Sequence, residues 1–547
     1  MKTKSHATGL FFALALGVLS CKDSNQVLDK EVDSSTTPSG ERSSALNYSD
    51  SDLVLGRKLE NPYSTVNMKK AAESLRSKGQ DLPVSIVTNY YYVRFLPSSD
   101  EEYDKLNADT TVDLFEYPLD YEIAKQGNSY RDPSLSTDAK FTWLYAAIPV
   151  ENLKRFDLKL EVLEELYLPF GNGKELETDL QIRNKALLTH LEDESMSLTG
   201  NLDSETEDNK NAKIADWYSS GRIRVWDERL NYNDGTGQYQ AGAGWVPVPA
   251  CLVRGNRWFT TKSALSYNNG YFFIDHGWPN GKGVNYSIKW DRADFDIRDG
   301  SYGQSHFNGP KIQGQWNLDI SEGGTPDNYI FAHVHRAAWY YYYNNTFGVP
   351  SPPGSGVLSK MHLGSKQGSG RSHYFAFNSA WAAAQIKLIF DLNNDDARVI
   401  FGTTIHELTH ASHWAMGMSY EAYTLNTGQA RKLAESWAQA VGWHITREVY
   451  GHNANPQLDF DAQQHLSLAD VQASDYTPLF IDLIDNHNQF DASSGRPNDL
   501  ASGYTITQLV NFLFARPTNW YQYRSYLEDN SSNPTEAAAS QLFSDYD

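Results

Sequence analysis

Residues 399–415 are VIFGTTIHELTHASHWA, and this stretch is the most informative about the fold and the chemistry of the chain. Its apolar character and spacing predict a helix from Asp396 to Met416. On a helix, His406 and His410 lie one turn apart and differ by about 40° in rotation, so they project side by side. Burying two unpaired histidines in an apolar helix would be costly. The pair is therefore interpreted as a zinc site, with Zn–N distances of about 2.0–2.1 Å.

The carboxylate of Glu407 directly follows the first histidine. It lies about 100° round the helix from His406. From there it can reach a zinc-bound water without being a ligand itself. It can take a proton from that water and later return it to a leaving amine. We therefore predict that Glu407 is the catalytic carboxylate.

A catalytic zinc needs a third protein ligand and one open position. His413 is rotated about 60° away from the common face of the two histidines, which disfavours it. Glu435, in the segment LAESWA, is the better candidate because it lies on a second predicted helix, Thr427 to Tyr450. Glu421 is a weaker alternative because it lies in the connection between the helices. The predicted ligands are therefore His406, His410 and Glu435, which hold one Zn²⁺ per chain.

His333 and His335 are the candidates for a second metal site. Two histidines separated by one residue would share a face only on a strand. The surrounding sequence, AHVHRAAWYYYY, is typical of a helix, where residues at i and i+2 diverge by about 200°. The sequence therefore favours a single metal site.

The segment HELTHA at residues 406–411 resembles the zinc helix of thermolysin-like peptidases. Glu435-Ser-Trp-Ala is similar to the ExxA stretch of aminopeptidase-type gluzincins. The metzincin pattern is excluded, since it requires Gly and His where this chain has His413 and Met416. The resemblance covers residues 325–450 and implies a mainly helical, zincin-like domain that hydrolyses protein or peptide substrates. It departs from the family at Gln439, where those enzymes place an aspartate that orients a zinc histidine.

The resemblance also implies a side chain that stabilises the transition state, but this chain has no obvious counterpart at a matching position. Several tyrosines and histidines could donate a hydrogen bond to a developing oxyanion. The candidates are Tyr420, Tyr423, His444, Tyr450, His487 and Tyr504.

The N-terminus has the pattern of an export signal. Lys2 and Lys4 precede an apolar run, LFFALALGVL, that is too short to span a bilayer. The run leads to Val18-Leu-Ser-Cys21, which resembles a bacterial lipobox and implies cleavage before Cys21 and lipidation of its thiol. Lys22 follows in place of the aspartate associated with inner-membrane retention. We therefore predict an outer-membrane lipoprotein of the bacterial envelope, facing the periplasm or the cell surface.

The remaining sequence divides into several predicted domains. Residues 1–20 form the signal peptide, and residues 21–80 are polar and predicted to be a flexible tether with a weak helix near its end. Residues 81–205 are predicted to form a small α+β domain, and residues 206–320 a β-sandwich that resembles an immunoglobulin-like module. Residues 321–547 form the predicted metallopeptidase domain.

Composition narrows the classes of partner. The formal net charge of −21 argues against nucleic acid, which requires a basic surface. The chain has two cysteines, and lipidation of Cys21 would leave Cys251 as a buried small hydrophobe. The competing class is a non-catalytic surface lipoprotein, an adhesin or nutrient-binding subunit with a vestigial metal site. The intact Glu407 argues against that class.

Overall fold

The computed structural model describes residues 52–547 apart from short internal segments. Those segments are 81, 83, 137–138, 175–177, 203–215, 234–238, 242, 280–281, 301–302, 345–346, 354–359, 375–383, 419–427, 451–470 and 472–475. Cys21, the predicted signal peptide and the start of the predicted tether lie outside the described residues, as does Glu421. None of the described helices combines the length and apolar character that crossing a membrane requires.

The N-terminal region mixes a sheet with helices, as the sequence predicted. Its strands are β1 (Val54–Lys58), β2 (Tyr90–Leu96), β3 (Tyr121–Lys125), β4 (Leu144–Pro149) and β5 (Lys159–Leu166). Its helices are α1 (Thr65–Ser77), α2 (Asp100–Asn107), α3 (Asp179–Arg183) and α4 (Lys185–Leu198), with a 3-10 helix at Val150–Arg155. Strands β4, β2 and β5 form an antiparallel sheet, and β1 pairs with β3.

The predicted tether over residues 21–80 is wrong for its later part. Helix α1 packs against α4 and places Met68, Ala71 and Leu75 in the core of the N-terminal region. Leu53, just before β1, is fully buried in the same core. Polar residues dominate the composition of this segment, but its apolar residues are concentrated in one helical stripe at i, i+3 and i+7. The folded structure therefore includes the described residues from 52 onward.

Substitution of Met68 by alanine should destabilise the protein by about 2–5 kcal/mol, because Met68 is 0% exposed and its removal leaves a cavity. The free energy of unfolding in urea measures the effect. Val66 on the same helix is 63% exposed, so Val66→Ala should change stability by less than about 0.5 kcal/mol. Equal effects of the two substitutions would contradict the packing of α1.

The middle of the chain forms two stacked sheets of four strands each. The first has the order β11-β10-β13-β16, and the second has the order β12-β6-β17, with β9 paired to the same edge of β6 as β12, further along the strand. Tyr286 on β13 contacts Trp316 on β17 at a ring-centroid distance of 5.2 Å and Phe272 on β12 at 6.1 Å, which joins the two sheets face to face. Cys251 is buried here, as predicted. The eight strands of the two sheets are β6 (Ser220–Asp227), β9 (Gly244–Pro247), β10 (Leu252–Arg257), β11 (Thr260–Leu265), β12 (Tyr271–Phe273), β13 (Val284–Lys289), β16 (His306–Ile312) and β17 (Trp316–Ile320). Strands β7 (Asn231–Asn233) and β8 (Tyr239–Ala241) pair with each other in a separate two-stranded sheet.

A third, mixed sheet crosses the predicted domain boundary at residue 320. Its strands are β14 (Phe295–Asp299), β15 (Gly303–Gln304), β18 (Met361–Gln367), β19 (His373–Tyr374) and β20 (Ile386–Phe390), in the order β15-β14-β18-β20-β19. Strand β14 pairs in parallel with β18, and β18 with β20, while β19 is an antiparallel edge strand. Strand β14, and β15 paired to it, therefore belong structurally with the C-terminal region, because the other partner of β14 is β18.

Helices dominate the rest of the C-terminal region, in agreement with the prediction. They are α5 (Pro326–Tyr343), α6 (Ala397–Ala415), α7 (Gly428–Tyr450), α8 (Leu479–Ile484), α9 (Ile506–Leu513), α10 (Trp520–Asn530) and α11 (Glu536–Asp545). Helix α6 packs between α5 and α7 and also contacts β19 and β20. The side chain of Asp396 caps α6 by accepting a hydrogen bond from the Val399 amide at 3.0 Å. This cap fixes the start of the helix that carries the two predicted zinc histidines.

Candidate metal centre

Helix α6 brings the two histidines together as their spacing predicted. His406 and His410 are 5% and 1% exposed, and their Nε2 atoms are 3.0 Å apart. Their rings meet edge to face, with centroids 4.7 Å apart. Both imidazoles therefore direct the same nitrogen toward one point in the interior.

Glu435 arrives from the neighbouring helix α7. Its Oε2 atom lies 3.3 Å from Nε2 of His406 and 3.2 Å from Nε2 of His410, and the side chain is fully buried. Among the described residues, this is the one group in which three histidine, cysteine or acidic side chains bring ligand atoms within 4.8 Å of one another. The structure therefore unites the three predicted ligands.

The spacing of the three donor atoms suits a metal ion. A tetrahedral zinc with bonds of about 2.0–2.1 Å separates its ligand atoms by about 3.3–3.4 Å. The three separations here are 3.0, 3.2 and 3.3 Å. Two neutral imidazoles and a carboxylate also form a donor set used by catalytic zinc sites. The buried group could therefore hold a metal ion.

The electrostatics of Glu435 suit a cation as well. Burial by itself would raise the pKa of this carboxyl, but the adjacent His410 and His406 outweigh burial and hold the pKa well below its usual range. Arg431, one turn earlier on α7, has its Nε atom 3.9 Å from Oε1 of Glu435. Glu435 is thus an anionic donor, with one oxygen toward the histidines and the other toward a guanidinium. Arg431 precedes Glu435 by four residues on the same helix, but no motif in the sequence singles it out.

Glu407, the predicted catalytic carboxylate, is fully buried on α6 immediately after the first ligand. It is not a member of the three-ligand group. His413 is also outside that group, as its rotation on the helix predicted. Burial and then the nearby His410 lower the pKa of His413 to about 3, so it is a neutral interior histidine.

The rival pair His333 and His335 has a structural role. Both lie on helix α5 and are fully buried. The Nε2 atom of His333 is 3.0 Å from the carbonyl oxygen of Trp226, and that of His335 is 2.8 Å from the carbonyl oxygen of Pro249. Both histidines can therefore donate hydrogen bonds to the β-sandwich, which joins α5 to it. The preference for a single metal site is consistent with this arrangement.

The predicted oxyanion donors are scattered. Tyr420 and Tyr423 lie outside the described residues. The ring of His444 packs against that of Phe347, with the ring centroids 4.6 Å apart. The structure instead places the buried Tyr476 beside the ligands, with its ring centroid 6.0 Å from that of His406. Sequence reasoning missed Tyr476 because no motif or regular spacing links it to the zinc helix.

Two glycines allow α6 and α7 to approach closely beside the site. A Cβ atom on Gly442 would lie 3.4 Å from the carbonyl oxygen of Gly402 and 3.7 Å from the Cβ of His406. A methyl group fits at this distance, but a branched side chain would have to enter the contact between the helices. The separation of His406 from Glu435 therefore depends on a small residue at position 442.

Substitution of Gly442 by valine should separate the two helices and weaken the binding of added zinc, used as the probe ion, by at least about tenfold, the range seen when the support of a metal ligand is lost. Competition with a chromogenic chelator measures the affinity. Gly428, at the start of α7, has no described atom within 4 Å of an added Cβ. Gly428→Val is therefore the matched control, and equal zinc affinity in both variants would contradict this role for Gly442.

No family model, curated protein or solved structure matches this chain.

Proposed function

We propose that this chain is a zinc-dependent metallopeptidase of the gluzincin type. The observation that supports the proposal best is the buried convergence of His406, His410 and Glu435, with ligand-atom separations of 3.0–3.3 Å. This donor set, with Glu407 next to the first ligand, is the arrangement used for metal-assisted hydrolysis. We also propose that the C-terminal domain has a zincin-like fold and that the neighbouring β-sandwich is immunoglobulin-like.

In the proposed reaction, a bound zinc would supply Lewis acidity toward the scissile carbonyl and the attacking water. Glu407 accepts the proton of that water and passes it to the nitrogen of the leaving amine. Glu435 supplies the negative charge that balances the metal, and its other oxygen lies 3.9 Å from the Arg431 guanidinium. Burial of these groups strengthens each electrostatic interaction, because water is excluded.

The position of the mixed sheet next to α6 is consistent with a peptide substrate. Strand β19 is an antiparallel edge strand, and helix α6 lies against it. An exposed sheet edge can pair with an extended chain through backbone hydrogen bonds, whatever the side chains of that chain are. A peptide bound at this edge would lie next to α6, the helix that carries His406 and His410.

The proposed location is the bacterial envelope, with Cys21 as the lipid anchor in the outer membrane. The support is the N-terminal pattern of Lys2 and Lys4, a short apolar run and a cysteine after Ser20. The net charge of −21 is consistent with a protein or peptide partner and disfavours nucleic acid.

The proposal is tested with a chain that begins at Lys22, one residue after the cysteine predicted to carry lipid, so that Leu53 and α1 remain in the N-terminal core. Mass spectrometry of the metals should find one zinc per chain. Hydrolysis of a mixed peptide pool should stop with a chelator and return with zinc. Absence of bound metal, or hydrolysis that a chelator leaves unchanged, would refute the proposal. Bound zinc without hydrolysis of any peptide would support the non-catalytic lipoprotein with a vestigial site.

A further inference from the structure

A lysine, an asparagine and an aspartate meet where the N-terminal region packs against the β-sandwich. Lys289 is the last residue of β13, and Asn107 is the last residue of α2. The Nζ atom of Lys289 lies 2.8 Å from Oδ1 of Asn107 and 2.9 Å from Oδ2 of Asp291. Lys289 and Asn107 are 182 positions apart in the sequence. The contact therefore joins two distant parts of the chain.

The amide of Asn107 is held in one orientation by Gln304. Gln304 is 2% exposed, and its Nε2 atom donates to the carbonyl oxygens of Trp290 and Ile297 at 3.0 and 3.1 Å. These bonds leave its Oε1 atom to accept from Nδ2 of Asn107, at 3.4 Å. Because backbone carbonyls only accept, this chain of bonds fixes which atom of each amide is the oxygen. The carbonyl side of the Asn107 amide therefore faces the amine of Lys289.

The amine is within reach of the amide carbon. A carbonyl bond is about 1.23 Å long, so the 2.8 Å contact with Oδ1 places Nζ of Lys289 no more than about 4.0 Å from Cγ of Asn107. A nucleophile that is ready to attack lies about 3–3.5 Å from its target atom. Lysine has a flexible four-carbon stem, and a small rotation of that stem closes the remaining distance.

The surroundings of Lys289 favour a neutral, nucleophilic amine. Its side chain is 13% exposed, and that of Asp291 is 12% exposed. Burial lowers the pKa of Lys289 from its ordinary value, and the opposing charge of Asp291 does not restore it. A desolvated lysine acts as a nucleophile once it has lost its proton. Oδ1 of Asp291 accepts from Lys360 at 2.5 Å, so Oδ2 is the oxygen that faces Lys289 and can accept that proton.

We propose that Lys289 and Asn107 react with each other and form an intramolecular isopeptide bond. Nζ of Lys289 bonds to Cγ of Asn107, and the bond from Cγ to Nδ2 breaks. The lysine ammonium loses two protons, and Asp291 relays both to the departing nitrogen, which leaves as an ammonium ion. The reaction needs no oxidant and no second protein. It goes beyond the proposed hydrolysis and does not depend on it, since none of these residues lies at the metal centre.

The proposed bond gives the N-terminal region a covalent attachment to the β-sandwich. It links α2 to β13 and closes a loop between residues that are 182 positions apart. A cross-link over a long loop stabilises a protein mainly by restricting its unfolded chain. The two regions therefore stay joined even when the hydrogen bonds between them open.

The experiment is mass spectrometry of the unsubstituted chain that begins at Lys22. We expect an intact mass that is lower than the sequence mass by one ammonia. Trypsin does not cut after an acylated lysine, so digestion should release residues 106–125 joined to residues 283–292. An intact mass equal to the sequence mass, with the two peptides recovered separately, overturns the proposal. Conversion of Asn107 to aspartate without a joined peptide also overturns it.

Three variants identify the reacting groups. Lys289→Arg keeps the positive charge but removes the amine, so it should have its full sequence mass and no joined peptide. Lys105→Arg is the matched control and should keep the joined peptide, since the Lys105 side chain is 60% exposed and pairs with Glu101. Asp291→Asn should slow the linkage in newly made protein by about 100-fold or more, the contribution of a positioned proton carrier. Loss of ammonia that persists in Lys289→Arg overturns the proposal, and linkage at the original rate in Asp291→Asn overturns the role of Asp291.

Discussion

Replacement of Glu435 by glutamine should weaken zinc binding by more than about 100-fold and remove the proposed peptidase activity. Loss of a residue that only supports a metal ligand typically costs about 10–100-fold in affinity, so loss of a ligand should cost more. Glutamine keeps the shape of the side chain but replaces a buried anion with a neutral amide. Because Oε2 lies within 3.3 Å of both histidine nitrogens, no other described carboxylate can take its place. Chelator competition at fixed pH gives the affinity.

Two further variants make the Glu435 result specific. Glu448 is exposed on the same helix, so Glu448→Gln should keep wild-type zinc affinity and a wild-type circular dichroism spectrum. Glu421, the alternative ligand in the connection between the helices, should also tolerate glutamine. If Glu435→Gln binds zinc fully and Glu421→Gln does not, then the third ligand is Glu421. That result would contradict the assignment of Glu435 on α7 as the third ligand.

The metal group could be predicted from sequence because most of it is local. Helix geometry alone places His406 beside His410, and the apolar pattern of residues 397–415 indicates that helix clearly. Prediction of Glu435 as a ligand required one additional assumption, that α7 packs on α6. Arg431 is also close to Glu435 in sequence, but the thermolysin-like pattern places the residue that supports the site after the ligand, at Gln439. Tyr476 could not be predicted, since only tertiary packing brings it to His406.

The fold was predicted least well where pairing is distant in sequence. Strand β14 reads like one more strand of the sandwich, but its partner β18 begins 66 residues later, at Met361. Nothing in the local pattern of residues 295–299 specifies that partner. The tether failed for a different reason. The sequence predicted a weak helix near Met68 to Lys78, and α1 confirms it, but the polar average of residues 21–80 did not indicate that its apolar stripe packs into a core.

Replacement of Glu407 by glutamine should lower kcat for peptide hydrolysis by about 10²–10⁴-fold, the contribution expected of a positioned general base. Zinc content should remain at one per chain, because Glu407 is outside the ligand group. KM should change little, since the proton transfer stabilises the transition state rather than the bound substrate. Steady-state kinetics with the metal content measured on the same sample separates these quantities.

The metal content decides how the Glu407 result is interpreted. A large fall in kcat with full zinc occupancy assigns proton transfer to Glu407. An equal fall accompanied by loss of zinc would instead make Glu407 part of the support of the metal group, which its complete burial beside His406 would also allow. Unchanged hydrolysis in Glu407→Gln would mean that another group accepts the proton. Glu407 and Glu435 are both fully buried carboxylates of the same two packed helices, so the contrast between their zinc contents distinguishes a base from a ligand.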